Sequence, residues 1–230
     1  MESEYRHIRL DKPKVAILDM DDTLAAFSSH WLPYAQEKIA TFRAGEYWKP
    51  DPKEYHLETA IVNKYGNLGA KIVQDFYIQH KMRDLVPIEG SLETVRFLEN
   101  LGFDFCVITG RPAWLYSEVK ADTLAWLVKH NIKVKSLTFC RDKAEFLKYY
   151  KYLYKDHFVI ALEDSADYAN SLSYIANKVF LRNREHNLNQ YITENVIRFN
   201  YFYEVNQNIL DHLINYSQET GNLADLNAIY

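Results

Sequence analysis

Apolar residues fall along this chain in two rhythms. From about residue 88 onward, short apolar runs alternate with stretches whose apolar positions recur every three or four residues. The runs Phe103-Asp104-Phe105-Cys106-Val107-Ile108, Lys135-Ser136-Leu137-Thr138-Phe139, Phe158-Val159-Ile160-Ala161-Leu162 and Val179-Phe180-Leu181 have the length of strands, as does Val15-Ala16-Ile17-Leu18 near the start. Between them, Leu92, Val95, Leu98 and Leu101 predict a helix capped by Ser91 and stopped by Gly102. Pro112 suits the start of a long helix running to about Asn131. Phe146, Leu147, Tyr150 and Leu153 mark another helix, Tyr168, Leu172 and Ile175 the next, and an amphipathic one is expected near Glu204 to Tyr216. The polar stretch from Gln218 to Tyr230 is expected to be loose. Strands alternating with helices imply an α/β fold, a mostly parallel sheet with helices on both faces.

Residues 24–86 interrupt the alternation. They hold two or three helical stretches rich in aromatic residues, among them Phe27, Trp31, Tyr34, Phe42, Tyr47, Trp48, Tyr55, Phe76 and Tyr77, with a turn at Trp48-Lys49-Pro50-Asp51-Pro52. The insert leaves directly from the end of the first strand. The expected division is therefore an α/β core of residues 1–23 and 87–230, with residues 24–86 as a small helical cap above its site.

Composition narrows the function classes. A chain of 230 residues with 48% hydrophobic residues can bury a large core, and 25% charged residues is ordinary for a soluble surface. The net charge of −4 lacks the basic excess expected of a protein that grips long nucleic acid. No apolar run reaches the ~18 residues of a membrane span, and the polar start MESEYRHIRLDKPK does not read as a signal or transit peptide. A soluble, cytoplasmic protein is expected. No GxGxxG fingerprint occurs, and the two cysteines, Cys106 and Cys140, read as reduced core thiols.

In parallel sheets, ligands bind beyond the carboxyl ends of the strands, and four predicted strands end in polar groups. The first runs into Asp19-Met20-Asp21-Asp22-Thr23. Side chains two apart in extended chain share a side, so Asp19 and Asp21 can face one site, where two carboxylates must share a cation or a proton. The second ends in Thr109-Gly110-Arg111-Pro112, a hydroxyl and free amides suited to cradling phosphate. Lys143 follows the third. Glu163-Asp164-Ser165 ends the fourth, with Asp167 close behind. Singly these are common turn or surface residues; together, in this order and each just after a strand, they form a pattern.

The pattern resembles the haloacid dehalogenase (HAD) superfamily of phosphatases over about residues 14–183. Asp19, Asp21 and Thr23 match its DxDx(T/V) motif, Thr109 its Ser/Thr motif, Lys143 its lysine, and Glu163 with Asp164 its acidic pair. The insert is similar in position to the family's C1 cap. Val107-Ile108-Thr109-Gly110-Arg111-Pro112, Thr123 and Trp126-Leu127 are similar to motifs of the 5′(3′)-deoxyribonucleotidase group. So is Arg182-Asn183-Arg184-Glu185-His186-Asn187, which departs from it at Arg184-Glu185-His186, and the acidic pair opens with Glu163 where that group has Asp. The resemblance implies a HAD-like Rossmannoid core and a Mg²⁺-dependent phosphomonoester hydrolase. In it Asp19 is the nucleophile that becomes an aspartyl-phosphate, and Asp21 the acid and base. Mg²⁺ would be held by the Asp19 carboxylate, the Asp21 carbonyl and Asp164, with Glu163 and Asp167 reaching metal-bound water. Thr109, Gly110 and Lys143 would hold the phosphoryl oxygens. Arg111 has two readings, a substrate-phosphate contact and a structural ion pair.

The expected partner is a small phosphorylated substrate, a nucleotide first. Phe27, Trp31 and Tyr34 share a helix face; the stripe reads as cap core or, more sharply, as a platform on which Phe27 and Trp31 stack a base. His30, His56, His80 and His186 receive no catalytic role, although His186 is expected near the rim. Polynucleotide ends, sugar phosphates, phosphotransfer to an alcohol and a non-catalytic HAD-fold binding protein are the competing readings; whether the chain forms a homodimer is open.

Overall fold

The computed structural model describes residues 12–219. In chain order these residues form β1 (Lys14–Leu18), α1 (Phe27–Phe42), α2 (Leu57–Tyr65), α3 (Asn67–Ile78), a short 3-10 helix (Lys81–Asp84), α4 (Ser91–Asn100), β2 (Phe103–Thr109), α5 (Ser117–Lys129), β3 (Val134–Phe139) and α6 (Lys143–Leu153). There follow β4 (Phe158–Glu163), α7 (Ala166–Leu172), β5 (Lys178–Arg182), β6 (Val196–Phe199) and α8 (Phe202–Glu219). The last predicted stretch, beyond residue 219, lies outside the described residues. Among the described residues no helix is long and apolar enough to cross a membrane.

All six strands run parallel in the order β3-β2-β1-β4-β5-β6. Both faces are covered, which is why β1 and β4 read as unbroken apolar runs rather than as alternating ones. Alternate residues feed two separate cores. Ala16, Leu18, Phe105, Val107, Ile160 and Leu162 pack with α4, α5 and α8 on one face. Val15, Ile17, Cys106, Ile108, Val159 and Ala161 pack with α6 and α7 on the other. Both cysteines are free and buried.

The helical segment between β1 and α4 joins the first of these cores. Trp31 is fully buried, stacked on Phe27 at 6.1 Å and met edge-on by Phe76 at 5.0 Å. These residues belong to the same apolar cluster as Leu18 and Phe105. Polar ties complete the junction. The buried Asp122 of α5 accepts from Arg83 Nε at 2.9 Å and Nη2 at 2.8 Å, with His80 Nδ1 at 2.9 Å. Trp126 Nε1 donates to the Leu85 carbonyl at 2.7 Å. The segment is thus anchored on α5, the helix that follows the second motif.

Two local expectations are corrected, and two features of the sheet go beyond the sequence reading. Ser91 does not cap α4: Gly90 occupies the cap with φ +80°, a conformation glycine adopts cheaply, and Ser91 Oγ turns inward to the Leu24 carbonyl at 3.2 Å. The helix expected from Pro112 begins five residues later, because Pro112 opens a turn in which its carbonyl accepts from Leu115 N at 2.9 Å and Tyr116 N at 3.1 Å. The third predicted strand is present, as a half-exposed edge of the sheet. A sixth strand, Val196–Phe199, extends the sheet beyond β5.

Replacing the Trp31 side chain by a methyl group removes the centre of the aromatic cluster and leaves a cavity. Trp31→Ala is expected to cost about 3–5 kcal/mol, measured by urea unfolding; a loss below about 1 kcal/mol would contradict the packing described.

Candidate active site

The carboxyl ends of β1, β2 and β4 lie side by side because their registers are aligned: Leu18 sits opposite Val107 on one side and Leu162 on the other. Asp19 is the next residue, held in line by its N–H donating to the Leu162 carbonyl at 3.0 Å. The chain then turns sharply, with Leu24 N and Ala25 N both donating to the Met20 carbonyl and Asp22 at φ +55°.

Three carboxylates crowd the ends of β1 and β4. Asp19, Glu163 and Asp164 are all buried, and one oxygen of each lies within 4.8 Å of the others. Lys143, the first residue of α6, is buried between them. It donates to Asp19 Oδ1 at 2.6 Å and to Glu163 Oε2 at 2.7 Å, and its Nζ stands 4.8 Å from the Tyr168 ring centre. Burial works against the ammonium charge, but Asp19 and Glu163 outweigh it and raise the Lys143 pKa. Burial also pushes the Glu163 carboxyl up to about 7, assisted by Asp19 and opposed by Lys143. Asp164 is raised well above the usual carboxylate range, again by burial first and then by Asp19 and Glu163. One ammonium therefore serves three buried carboxylates, and a charge deficit remains.

A divalent cation fits that deficit. The donors are all hard oxygens, as Mg²⁺ prefers, and Asp164 takes no salt bridge from Lys143. Glu163 is already committed, with Oε2 on Lys143 and Oε1 accepting from Asp164 N and Ser165 N, each at 3.2 Å. Asp167, expected near metal-bound water, is exposed in the first turn of α7 and does not line the cavity.

Asp21 has a different partner. Arg111 grips it with Nε at 2.9 and 3.1 Å from the two carboxylate oxygens and Nη2 at 2.6 Å from Oδ1, while Nη1 donates to Thr123 Oγ1 at 3.0 Å. The guanidinium is 2% exposed. Of the two readings of Arg111, the ion pair is the one observed, and a direct substrate contact is not needed to explain it. Burial raises the Asp21 pKa, with Arg111 pulling it down. Thr109 is buried at the end of β2, its Oγ1 accepting from Arg111 N at 3.3 Å. Gly110 is exposed, and a Cβ there would meet nothing within 4 Å.

These groups open onto a cavity of about 820 Å³. Asp19, Asp21, Thr109, Gly110, Arg111, Lys143 and Asp164 line its floor; Ser28, Leu32, Tyr55, Glu58 and Tyr77 contribute to the opposite wall. The two residues of the expected base platform part company: Trp31 is 0% exposed and does not line the cavity, whereas Phe27, 8% exposed, lines it with one face stacked on Trp31.

Several lining residues carry no local sequence signal. Asp22 accepts from Ser28 N at 3.1 Å and from the Ser28 hydroxyl, and its carboxylate meets Arg184 at 3.4 Å. His186 Nε2 and Asn187 Nδ2 both reach the Asp164 carbonyl, at 3.0 and 2.6 Å, so the loop after β5 clamps the acidic motif. Tyr55 packs on the His186 ring at 4.9 Å, and Glu58 accepts from the Tyr77 hydroxyl. The resemblance over Arg182 to Asn187 points to this loop; Tyr55 stands in the sequence reading only among the aromatic residues of the insert, and Glu58 is not singled out there.

No protein-family model matches the chain, and a search of curated proteins also returns no match. Solved structures do. A haloacid dehalogenase-like hydrolase from Streptococcus pneumoniae superposes with a TM-score of 0.62 at 12% identity, over 87% of this chain and 100% of its own. A HAD-hydrolase from Bacillus subtilis, solved with magnesium bound, gives 0.60 at 12% identity, over 87% and 99%. CbbY from Rhodobacter sphaeroides, solved with xylulose-(1,5)bisphosphate, gives 0.55 at 12%, over 84% and 96%. At these identities the likeness speaks for architecture alone: this chain has a haloacid dehalogenase-like α/β fold.

Proposed function

We propose that the protein is a metal-dependent phosphomonoester hydrolase of the HAD type, acting on a small organic phosphate through an aspartyl-phosphate on Asp19. The observation that carries this reading is the buried group of Asp19, Lys143, Glu163 and Asp164 beside Asp21 and Thr109 at the floor of one cavity. Buried carboxylates packed this closely are unfavourable unless a cation and a task keep them there.

Each residue has a role that its surroundings support. Asp19 presents a carboxylate oxygen to phosphorus, and the ester P–O bond breaks as the new one forms. Asp21 gives its proton to the departing oxygen and later takes one from the water that attacks the aspartyl-phosphate, releasing inorganic phosphate and the Asp19 carboxylate. Arg111, locked by Thr123, fixes the direction in which Asp21 points. Lys143, Thr109 and the Gly110 amide supply fixed donors for the phosphoryl oxygens, worth most where water is excluded. Mg²⁺, held by Asp19, Asp164 and the Asp21 carbonyl, would neutralise phosphate charge so that one anion can approach another.

With Trp31 buried, the stacking argument for a nucleotide rests on Phe27 alone. A sugar phosphate is the second reading, favoured by that correction and by the sugar bisphosphate bound in the similarly folded CbbY.

Two outcomes are expected. Asp19→Asn should lower turnover of p-nitrophenyl phosphate by about four orders of magnitude with an unchanged circular dichroism spectrum; a folded variant with wild-type rates would refute the nucleophile. Activity should vanish in excess EDTA and return when Mg²⁺ is restored. Full activity after exhaustive chelation would remove the cation from the account.

A further inference from the structure

Glu58 is a carboxylate in the wall of the cavity that the proposed chemistry does not use. It sits in the first turn of α2, half-buried, on the insert side, facing the floor that carries Asp21. The Tyr77 hydroxyl of α3 donates to Glu58 Oε1, and Tyr77 is in turn buried and stacked on Tyr116 at 4.8 Å and 19°. The carboxylate is therefore held in place by a side chain that cannot swing away. No Lys or Arg among the described residues forms a salt bridge with it.

Its position relative to the reacting groups defines what it can touch. Glu58 feels the charge of Asp21, and Tyr77 feels both Asp21 and Arg111. Glu58, Tyr77, Asp21 and Arg111 all line the one cavity, so the pair stands on the side of Asp21, which in the proposed chemistry protonates the departing alcohol. With Oε1 on the Tyr77 hydroxyl, the other Glu58 oxygen takes no hydrogen bond from another of the described residues, and a half-desolvated acceptor of this kind favours a ligand that donates to it.

We infer that Glu58, fixed by Tyr77, is a specificity-determining residue that accepts a hydrogen bond from a hydroxyl on the leaving group, so that the substrate is a phosphate ester of a polyhydroxylated alcohol. This rests on the phosphatase reading above and names its substrate class. A hydroxyl meets this acceptor without adding charge to the cavity; an ammonium is the other donor that could meet it, and the aminoethyl ester tests that case. Both a sugar phosphate and the ribose of a nucleotide carry such hydroxyls. They differ in whether a base must also be housed.

The test compares kcat/KM for matched esters: glycerol 1-phosphate against propyl phosphate, 2-aminoethyl phosphate against ethyl phosphate, and a hexose 6-phosphate against a nucleoside 5′-monophosphate. Wild-type protein is expected to prefer the glycerol ester over the propyl ester by about 10–100-fold. Glu58→Leu should reduce that ratio to about 1–3, and Glu58→Gln, which still accepts from Tyr77, should fall between. Calorimetric binding of the same two esters to the Asp19→Asn variant should show the same loss of discrimination on adding Glu58→Leu, which separates recognition from turnover. The last pair identifies the source of the hydroxyls. An unchanged ratio in folded Glu58→Leu or Glu58→Gln overturns the inference, as does a selective loss confined to the aminoethyl ester. Failure of wild-type protein to hydrolyse p-nitrophenyl phosphate with Mg²⁺ would instead overturn the phosphatase reading beneath it.

Discussion

Everything at this site depends on one electrostatic constraint, the enclosure of Asp19, Glu163 and Asp164 with a single ammonium. Lys143 contacts two of the three carboxylates, at 2.6 and 2.7 Å. Ions taken out of water lose several kcal/mol of hydration each, and like charges at this separation repel. Such a group persists because the sheet leaves it no alternative: parallel β1 and β4 in aligned register end at the same level, and α6 begins where Lys143 must point inward. The same constraint brings together three carboxylates, from residue 19 and residues 163–164, that could hold a metal ion.

The insert turns that floor into a cavity. Its aromatic cluster is continuous with the core under the sheet, and Asp122 and Trp126 tie its far end to α5. That same helix carries Thr123, which holds Arg111, which holds Asp21. One helix, α5, thus holds both the end of the helical segment and, through Arg111, the direction of the Asp21 carboxylate.

Much of this was legible in the sequence. Strand runs, helix spacings and the polar strand ends are local signals, and they located five strands, helices between the first strand and α4, and residues that meet at the floor. What was missed depends on tertiary context. The four residues Val196–Phe199 are too short to announce a strand; they become one by pairing with β5. Ser91 has the composition of a cap, yet Gly90 takes that place and the serine serves the insert. Trp31 and Phe27 share a helix face as expected, but spacing cannot say whether that face meets a ligand or Phe76. Glu58 and Arg111 acquire meaning only from partners 19 and 90 residues away in the chain.

The central claim is covalent: a phosphoryl group passes through the carboxylate that Lys143 holds. Rapid quenching of the protein during turnover of a phosphate ester, followed by borohydride reduction and peptide mass spectrometry, reads this directly. The account predicts conversion of Asp19 to homoserine in the quenched sample and not in a substrate-free control. Turnover with Asp19 unmodified at every quench time, or the phosphoryl group found on another residue, would contradict it.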